Sequence, residues 1–113
     1  MNLPEERDPA PRAAPDAVRA LAAGGYSEAE IFELVVPKRT LARRQARREA
    51  LTVEETDKAV RLARIADIAD RVFGDRAKAH RWLRKPKRSL NGAVPLAFLA
   101  SEAGARMVEQ MLN

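Results

Sequence analysis

The sequence predicts an all-α fold, and three observations carry that reading. No segment alternates apolar and polar residues with a period of two, and none is a Val/Ile/Tyr-rich run of the kind strands use. Apolar residues instead recur at helical spacing, as Leu62, Ile65, Ala66, Ala69, Val72 and Phe73, and again as Gly104, Met107, Val108, Met111 and Leu112. Helix-start signals also stand along the chain. Ser27-x-x-Glu30 and Thr52-x-x-Glu55 read as capping boxes, in which side chain and backbone at the two ends of a first turn satisfy each other.

Taken in order, the first fifteen residues hold Pro4, Pro9, Pro11 and Pro15 among charged and small residues. So little apolar surface does not offset the entropy of ordering, and 1–15 reads as a flexible tail. Asp16 is placed to cap a short helix through Leu21 that stops at Gly24-Gly25, where glycine supplies left-handed geometry. The helix opened by Ser27 carries Ile31, Leu34 and Val35 on one face. Pro37 disfavours helical geometry at Val36 and suits the first position of a new helix, so one helix ends and another begins within about two residues. The new helix, Lys38 to Arg48, has Leu41 and Ala42 as its apolar anchor and cations over most of its remaining surface. A long helix over 53–73 follows Thr52 and stops at Gly74, with Asp57 and Arg61, and Asp67 and Arg71, spaced to pair. Asp75 caps a helix containing Ala79, Trp82 and Leu83, which Pro86 ends. Asn91-Gly92 reads as a tight turn, Pro95 as the start of a short helix through Leu99, and Ser101 as the cap of the last helix.

At 113 residues the chain has room for one domain, or two very small ones sharing a core. Apolar residues make up 46% but aromatics only 4%, so aliphatic side chains must do the packing. Cysteine is absent, which excludes disulfides, thiolate metal sites and cysteine nucleophiles. No apolar run approaches the ~18 residues that cross a bilayer. An N-terminus with Glu5, Glu6 and Asp8 does not read as a signal peptide, so a soluble cytoplasmic protein without a membrane partner is expected. Catalytic candidates are thin. His80 is a single histidine in a basic helix and reads as a surface or boundary residue; Glu54, Glu55 and Asp57 oppose the positive end of a helix dipole. The five glycines form no phosphate loop. The chain is therefore expected to be no enzyme and to carry no catalytic residue, metal or cofactor.

Charge is the positive signal. Twenty-one Lys and Arg against sixteen Asp and Glu give a net charge of +5, which favours an anionic partner. Lys38, Arg39, Arg43, Arg44, Arg47 and Arg48 stand together with no acid among them. A short helix, a tight turn and a second helix basic at its start is the pattern of a helix-turn-helix, whose second helix enters the major groove. Arginine suits this role because its fork bonds two guanine acceptors or two phosphate oxygens at once. The competing reading is a solvated charged face. A second basic block, Arg71 to Arg88, contains Trp82 and Leu83 and either covers a core edge or meets an acidic partner. Leu96, Leu99, Met107, Val108, Met111 and Leu112 offer more apolar surface than two short helices bury between them. They read either as a docking face, for which methionine is well adapted, or as the completion of a core under 53–73. Gly104, costly inside a helix by about 0.5–1 kcal/mol relative to Ala, makes sense where another backbone approaches.

Several of these residues together resemble one family. They are Val36-Pro37-Lys38-Arg39-Thr40-Leu41-Ala42-Arg43-Arg44, Leu51-Thr52 with Glu54-Glu55, Arg61-Leu62-Ala63-Arg64 and Val72-Phe73-Gly74-Asp75. Ala79-x-x-Trp82-Leu83-x-x-Pro86, Leu90-Asn91-Gly92 with Pro95-Leu96, and Glu102-Ala103-Gly104-Ala105 complete the set. In this order the chain is similar, over about residues 31–112, to the Xre/MbcA/ParS-type antitoxins of type II toxin-antitoxin modules whose toxins have the RES fold. The resemblance implies a short Xre-like helix-turn-helix region at 16–50 and a helical toxin-binding domain at 51–113. It further implies an antitoxin that inhibits an NAD-using RES-fold toxin and represses its own operon. Operator DNA would then meet Lys38, Arg39, Thr40, Arg43, Arg44, Arg47 and Arg48. The toxin would meet Trp82, Leu83, Leu96, Leu99, Gly104, Met107, Val108, Met111 and Leu112, with the chain a homodimer inside a larger complex. A free-standing helix-turn-helix regulator without a toxin is the alternative, and a helical scaffold for an acidic protein is a third reading.

Overall fold

A computed structural model describes residues 11–113. Six α-helices follow one another: α1 (Ala17–Ala23), α2 (Glu28–Leu34), α3 (Lys38–Arg47), α4 (Val53–Phe73), α5 (Arg76–Leu83) and α6 (Glu102–Leu112). Short 3-10 turns at Arg88–Leu90 and Pro95–Ala100 lie between the last two, and no strand occurs among the described residues. The fold is all-α, as the sequence predicts.

The helix starts follow their local chemistry. At α2, Ser27 accepts from the Glu30 backbone while Glu30 accepts from the Ser27 N–H, and Thr52 and Glu55 do the same at α4. Asp75 accepts from Lys78 N–H to open α5, and Ser101 from Gly104 N–H to open α6. Gly74 closes α4 at φ 67°, in the left-handed region that spares only glycine a steric penalty. Asp16 precedes α1 without a side-chain capping bond, and it is Gly25 (φ 118°), not Gly24, that turns left-handed. Pro37 sits one place before α3, in extended geometry, so the helix proper begins at Lys38.

The long helix α4 is the axis of the molecule. It buries Ala59, Leu62, Ile65, Ala66 and Ala69, and its three alanines let neighbouring backbones come close. α1 packs on it, and so do α5, α6 and the Pro95–Ala100 turn. Leu51, Leu62, Ile65, Leu83, Leu99 and Val108 are fully buried, each leucine contributing roughly 1.5–3 kcal/mol of apolar burial. Because α4 serves both ends, the chain halves share one core.

Three local expectations are revised. Arg61 turns away from Asp57 and instead meets Glu102 at 3.3 Å and the Leu99 carbonyl at 3.3 Å, tying α4 to α6; the Asp67 and Arg71 pair does form, at 3.2 Å. Ala42 is exposed, leaving Leu41 as the buried residue of α3. The end of the expected flexible tail is tied down: Ala13 accepts from Leu51 N–H at 2.8 Å and donates to Thr56 Oγ1 at 3.0 Å, and Arg12 Nε donates to the Leu51 carbonyl at 2.8 Å. Residues 1–10 of that tail lie outside the described residues.

Candidate functional site

Two surfaces compete for a role. The first is α3, presented after the turn Val35-Val36-Pro37. Val35 and Val36 are buried and seat the turn, while Leu41 is the one residue of α3 buried in the core. Lys38, Arg39, Arg43, Arg47 and Arg48 are exposed, and Thr40 is half-buried. No acid stands in the first turn of α3. Lys38 and Arg39 there lie at the positive end of the helix dipole, where cations do not stabilise the helix. Arg48 closes the helix in the left-handed conformation at φ 54°.

Arg44 differs from its neighbours. Its guanidinium forks onto Glu55, Nε to Oε1 at 2.8 Å and Nη2 to Oε2 at 3.0 Å, and Nη1 lies 3.5 Å from Glu49. The fork holds the Glu55 carboxyl below the usual carboxylate range. Of the seven residues expected to meet DNA, Arg44 is thus occupied within the chain.

The second surface is the C-terminal third, where burial corrects the sequence reading. Leu83, Leu99 and Val108 are fully buried, and Gly104 and Leu112 are buried too. Leu99, Val108 and Leu112 belong to the core under α4, the reading left open as the alternative to a docking face, and Leu83 joins the same core. The backbone that approaches Gly104 is the chain's own: a Cβ there would run into the Phe98 carbonyl oxygen. What remains outward is Met107, 46% exposed, with half-buried Met111, Leu96 and Trp82. Met107 and Met111 line a shallow groove with Ser89, Leu90 and Gln110. Trp82 lies elsewhere, its ring 6.0 Å from Phe73 and under Lys87 Nζ at 4.7 Å.

His80 was expected at the surface or its boundary and is buried, at 3% exposure. Its Nε2 lies 2.8 Å from the Gly24 carbonyl and its ring stands edge-on to Tyr26 at 4.9 Å. Burial pushes the imidazole below its ordinary pKa, and the Tyr26 hydroxyl above its own. Tyr26 donates to the Leu62 carbonyl at 2.7 Å, a role with no motif behind it. Among the described residues no group of three potential ligands could hold a metal ion, and no helix is long and apolar enough to cross a membrane.

A helix-turn-helix-like first half carrying an exposed basic helix, continued by a helical second half on a shared core, defines the class of protein. Comparison with known families agrees. Residues 5–64 match the Antitoxin Xre-like helix-turn-helix domain, and residues 69–113 match the Antitoxin Xre/MbcA/ParS C-terminal toxin-binding domain. The chain belongs to the Xre/MbcA/ParS-type antitoxin family. A protein named Antitoxin Xre from Pseudomonas putida is 44% identical over 78 residues, covering 69% of this chain and 49% of that protein. Proteins of the same name from Yersinia enterocolitica and Photorhabdus laumondii are 35% and 32% identical, covering 76% and 66% of this chain and 60% and 51% of themselves. The chain therefore spans about half to three-fifths of the length of these curated relatives.

Proposed function

We propose that the chain is the antitoxin of a toxin-antitoxin pair: it binds and inhibits a cognate NAD-using RES-fold toxin and represses its own operon. The observation that carries this reading is the match of residues 69–113 to a toxin-binding domain. Residues 51–113 hold the toxin and 16–50 face operator DNA, with the chain acting in the cytoplasm as a homodimer inside a larger complex. It works by occupancy and carries out no chemistry of its own. Toxin contact uses the outward residues Trp82, Leu96, Met107 and Met111, which leave room for a partner where Leu83, Leu99 and Val108 do not. DNA contact uses Lys38, Arg39, Thr40, Arg43, Arg47 and Arg48, supported by their acid-free exposure on α3.

The test is co-expression with a RES-type toxin encoded next to this gene. Cells should grow, the two chains should co-purify, and cellular NAD should stay at the uninduced level. Continued NAD loss in the presence of folded chain rejects inhibition. Should operator binding persist in that case, a free-standing regulator is the better description.

A further inference from the structure

Arg76, His80 and Arg84 stand four residues apart along α5 and its cap, on one face. Each takes one of three successive carbonyls that run from the last residue of α1 into the turn before α2. Arg76 Nη1 donates to Ala23 O at 2.7 Å, His80 Nε2 lies 2.8 Å from Gly24 O, and Arg84 Nη2 donates to Gly25 O at 2.9 Å. These are carbonyls at the end of α1, which the helix itself leaves without partners and where positive charge is favoured. The row does not stop at the turn. Arg84 also forks onto Glu30, Nε to Oε2 at 2.7 Å and Nη2 to Oε1 at 2.8 Å, and Glu30 is the same carboxylate that caps α2 through Ser27. Gly25 fits closely against this comb: with φ 118°, a Cβ there would collide with the His80 ring.

The turn so held leads into α2, and α2 runs through buried Val35 and Val36 into α3. The grip comes from the part of the chain that matches the toxin-binding domain and falls on the part that matches the helix-turn-helix. We propose that Arg84 and His80 are positioning residues for the basic helix, so that α5 sets the pose in which α3 meets DNA. This rests on the DNA-binding half of the proposed function. It makes the C-terminal region part of the DNA-binding apparatus without touching DNA, and by linkage makes any ligand that shifts α5 a modulator of DNA affinity.

The experiment uses the full chain and Arg84→Met, which keeps length and removes the fork, with exposed Arg81→Met as the control on the same helix. Amide hydrogen exchange should quicken over residues 17–47 in Arg84→Met and stay slow in α6. Affinity for a duplex from upstream of the gene should fall about five- to tenfold, with the slope of log affinity against log salt unchanged. A slope shallower by about 0.9 would mean that Arg84 itself meets a phosphate, and that outcome overturns the positioning role. Unchanged exchange over 17–47, or faster exchange with unchanged affinity, overturns it as well. If Arg84→Met does not fold, Glu30→Gln, which keeps an acceptor for Ser27 and weakens the fork, carries the same test. A wild-type chain that binds no DNA rejects the DNA reading and the coupling with it, while the exchange data still decide whether the comb holds the turn.

Discussion

Arg44 and Glu55 face each other across the α3–α4 junction as a two-pronged ion pair, with Nε and Nη2 on separate carboxylate oxygens at 2.8 and 3.0 Å. Glu55 Oε1 accepts from Thr52 N–H at 2.9 Å in the same geometry. Glu30 and Arg84 repeat the arrangement at α2, so each capping-box glutamate is also the anchor of an arginine from another element. Charge-assisted forks of this kind fix direction as well as distance.

Arg43 and Arg44, adjacent in sequence, should therefore fail in different ways. Arg43→Ala is expected to reduce the salt dependence of DNA binding by about 0.9 log units per tenfold salt for a lost phosphate contact, with an unchanged melting temperature. Arg44→Ala should lower the melting temperature and leave the salt slope at its wild-type value. Titrations at several salt concentrations, with thermal melts of the same samples, separate the two; matching behaviour of both variants would return Arg44 to the DNA-facing set.

The C-terminal third should divide by face. Leu99→Ala empties a fully buried site and is expected to cost about 2–5 kcal/mol of stability. Met107→Glu, at a residue 46% exposed, should change stability by no more than about 0.5 kcal/mol, yet release the toxin in a pull-down. Denaturant melts read the first effect and co-purification the second. Retained toxin binding by stable Met107→Glu would move the interface off this face of α6.

Gly104→Ala is expected to lose about 1–3 kcal/mol, as overpacking does when the obstacle is backbone, because the new methyl meets the Phe98 carbonyl. The loss should appear in the isolated chain, measured by urea denaturation. A neutral result there, with weakened toxin binding, would show that Gly104 is kept for a partner and not for the fold.

His80 gives stability a pH dependence of definite sign. Burial, with Arg84 nearby, holds the imidazole pKa below its ordinary 6.5, against the pull of the Gly24 carbonyl and the charges of Asp70 and Glu30. Above 6.5 folded and unfolded chains are both neutral at this group and it adds no slope. Below 6.5 the unfolded chain takes up a proton that the folded one refuses, so stability falls as pH drops toward the lower folded value. Melting temperatures measured from pH 8 to pH 5 should decline on the acid side, and His80→Gln should flatten that decline. Equal slopes in both proteins would assign the effect to other groups.

What the sequence made legible was what is decided within one helical turn. Ser27 with Glu30, Thr52 with Glu55, Asp75, Gly74 and Ser101 all act on backbone groups three or four residues away, and all do so in the structure. What it hid was decided across the fold. Arg76, His80 and Arg84 reach carbonyls 53, 56 and 59 residues away, and no local pattern distinguishes such side chains from solvated ones. Leu83 and Trp82 illustrate the same limit: both are apolar neighbours on α5, yet the first is sealed under α4 and the second half-open. The apolar pattern of α6 identified a buried stripe but not whether chain or partner would cover it.

The placement of Trp82 supplies the molecule with its own optical reporter. It is the single tryptophan of the chain, half-buried between Phe73 and the ammonium of Lys87 on the element that grips the α1–α2 turn. Its emission colour and its quenching by small solutes follow the hydration and charge around that one indole. Docking of a second molecule on this side of α5, or withdrawal of Lys87, can thus be timed in unlabelled protein, with one fluorophore and one place to which every change is assigned.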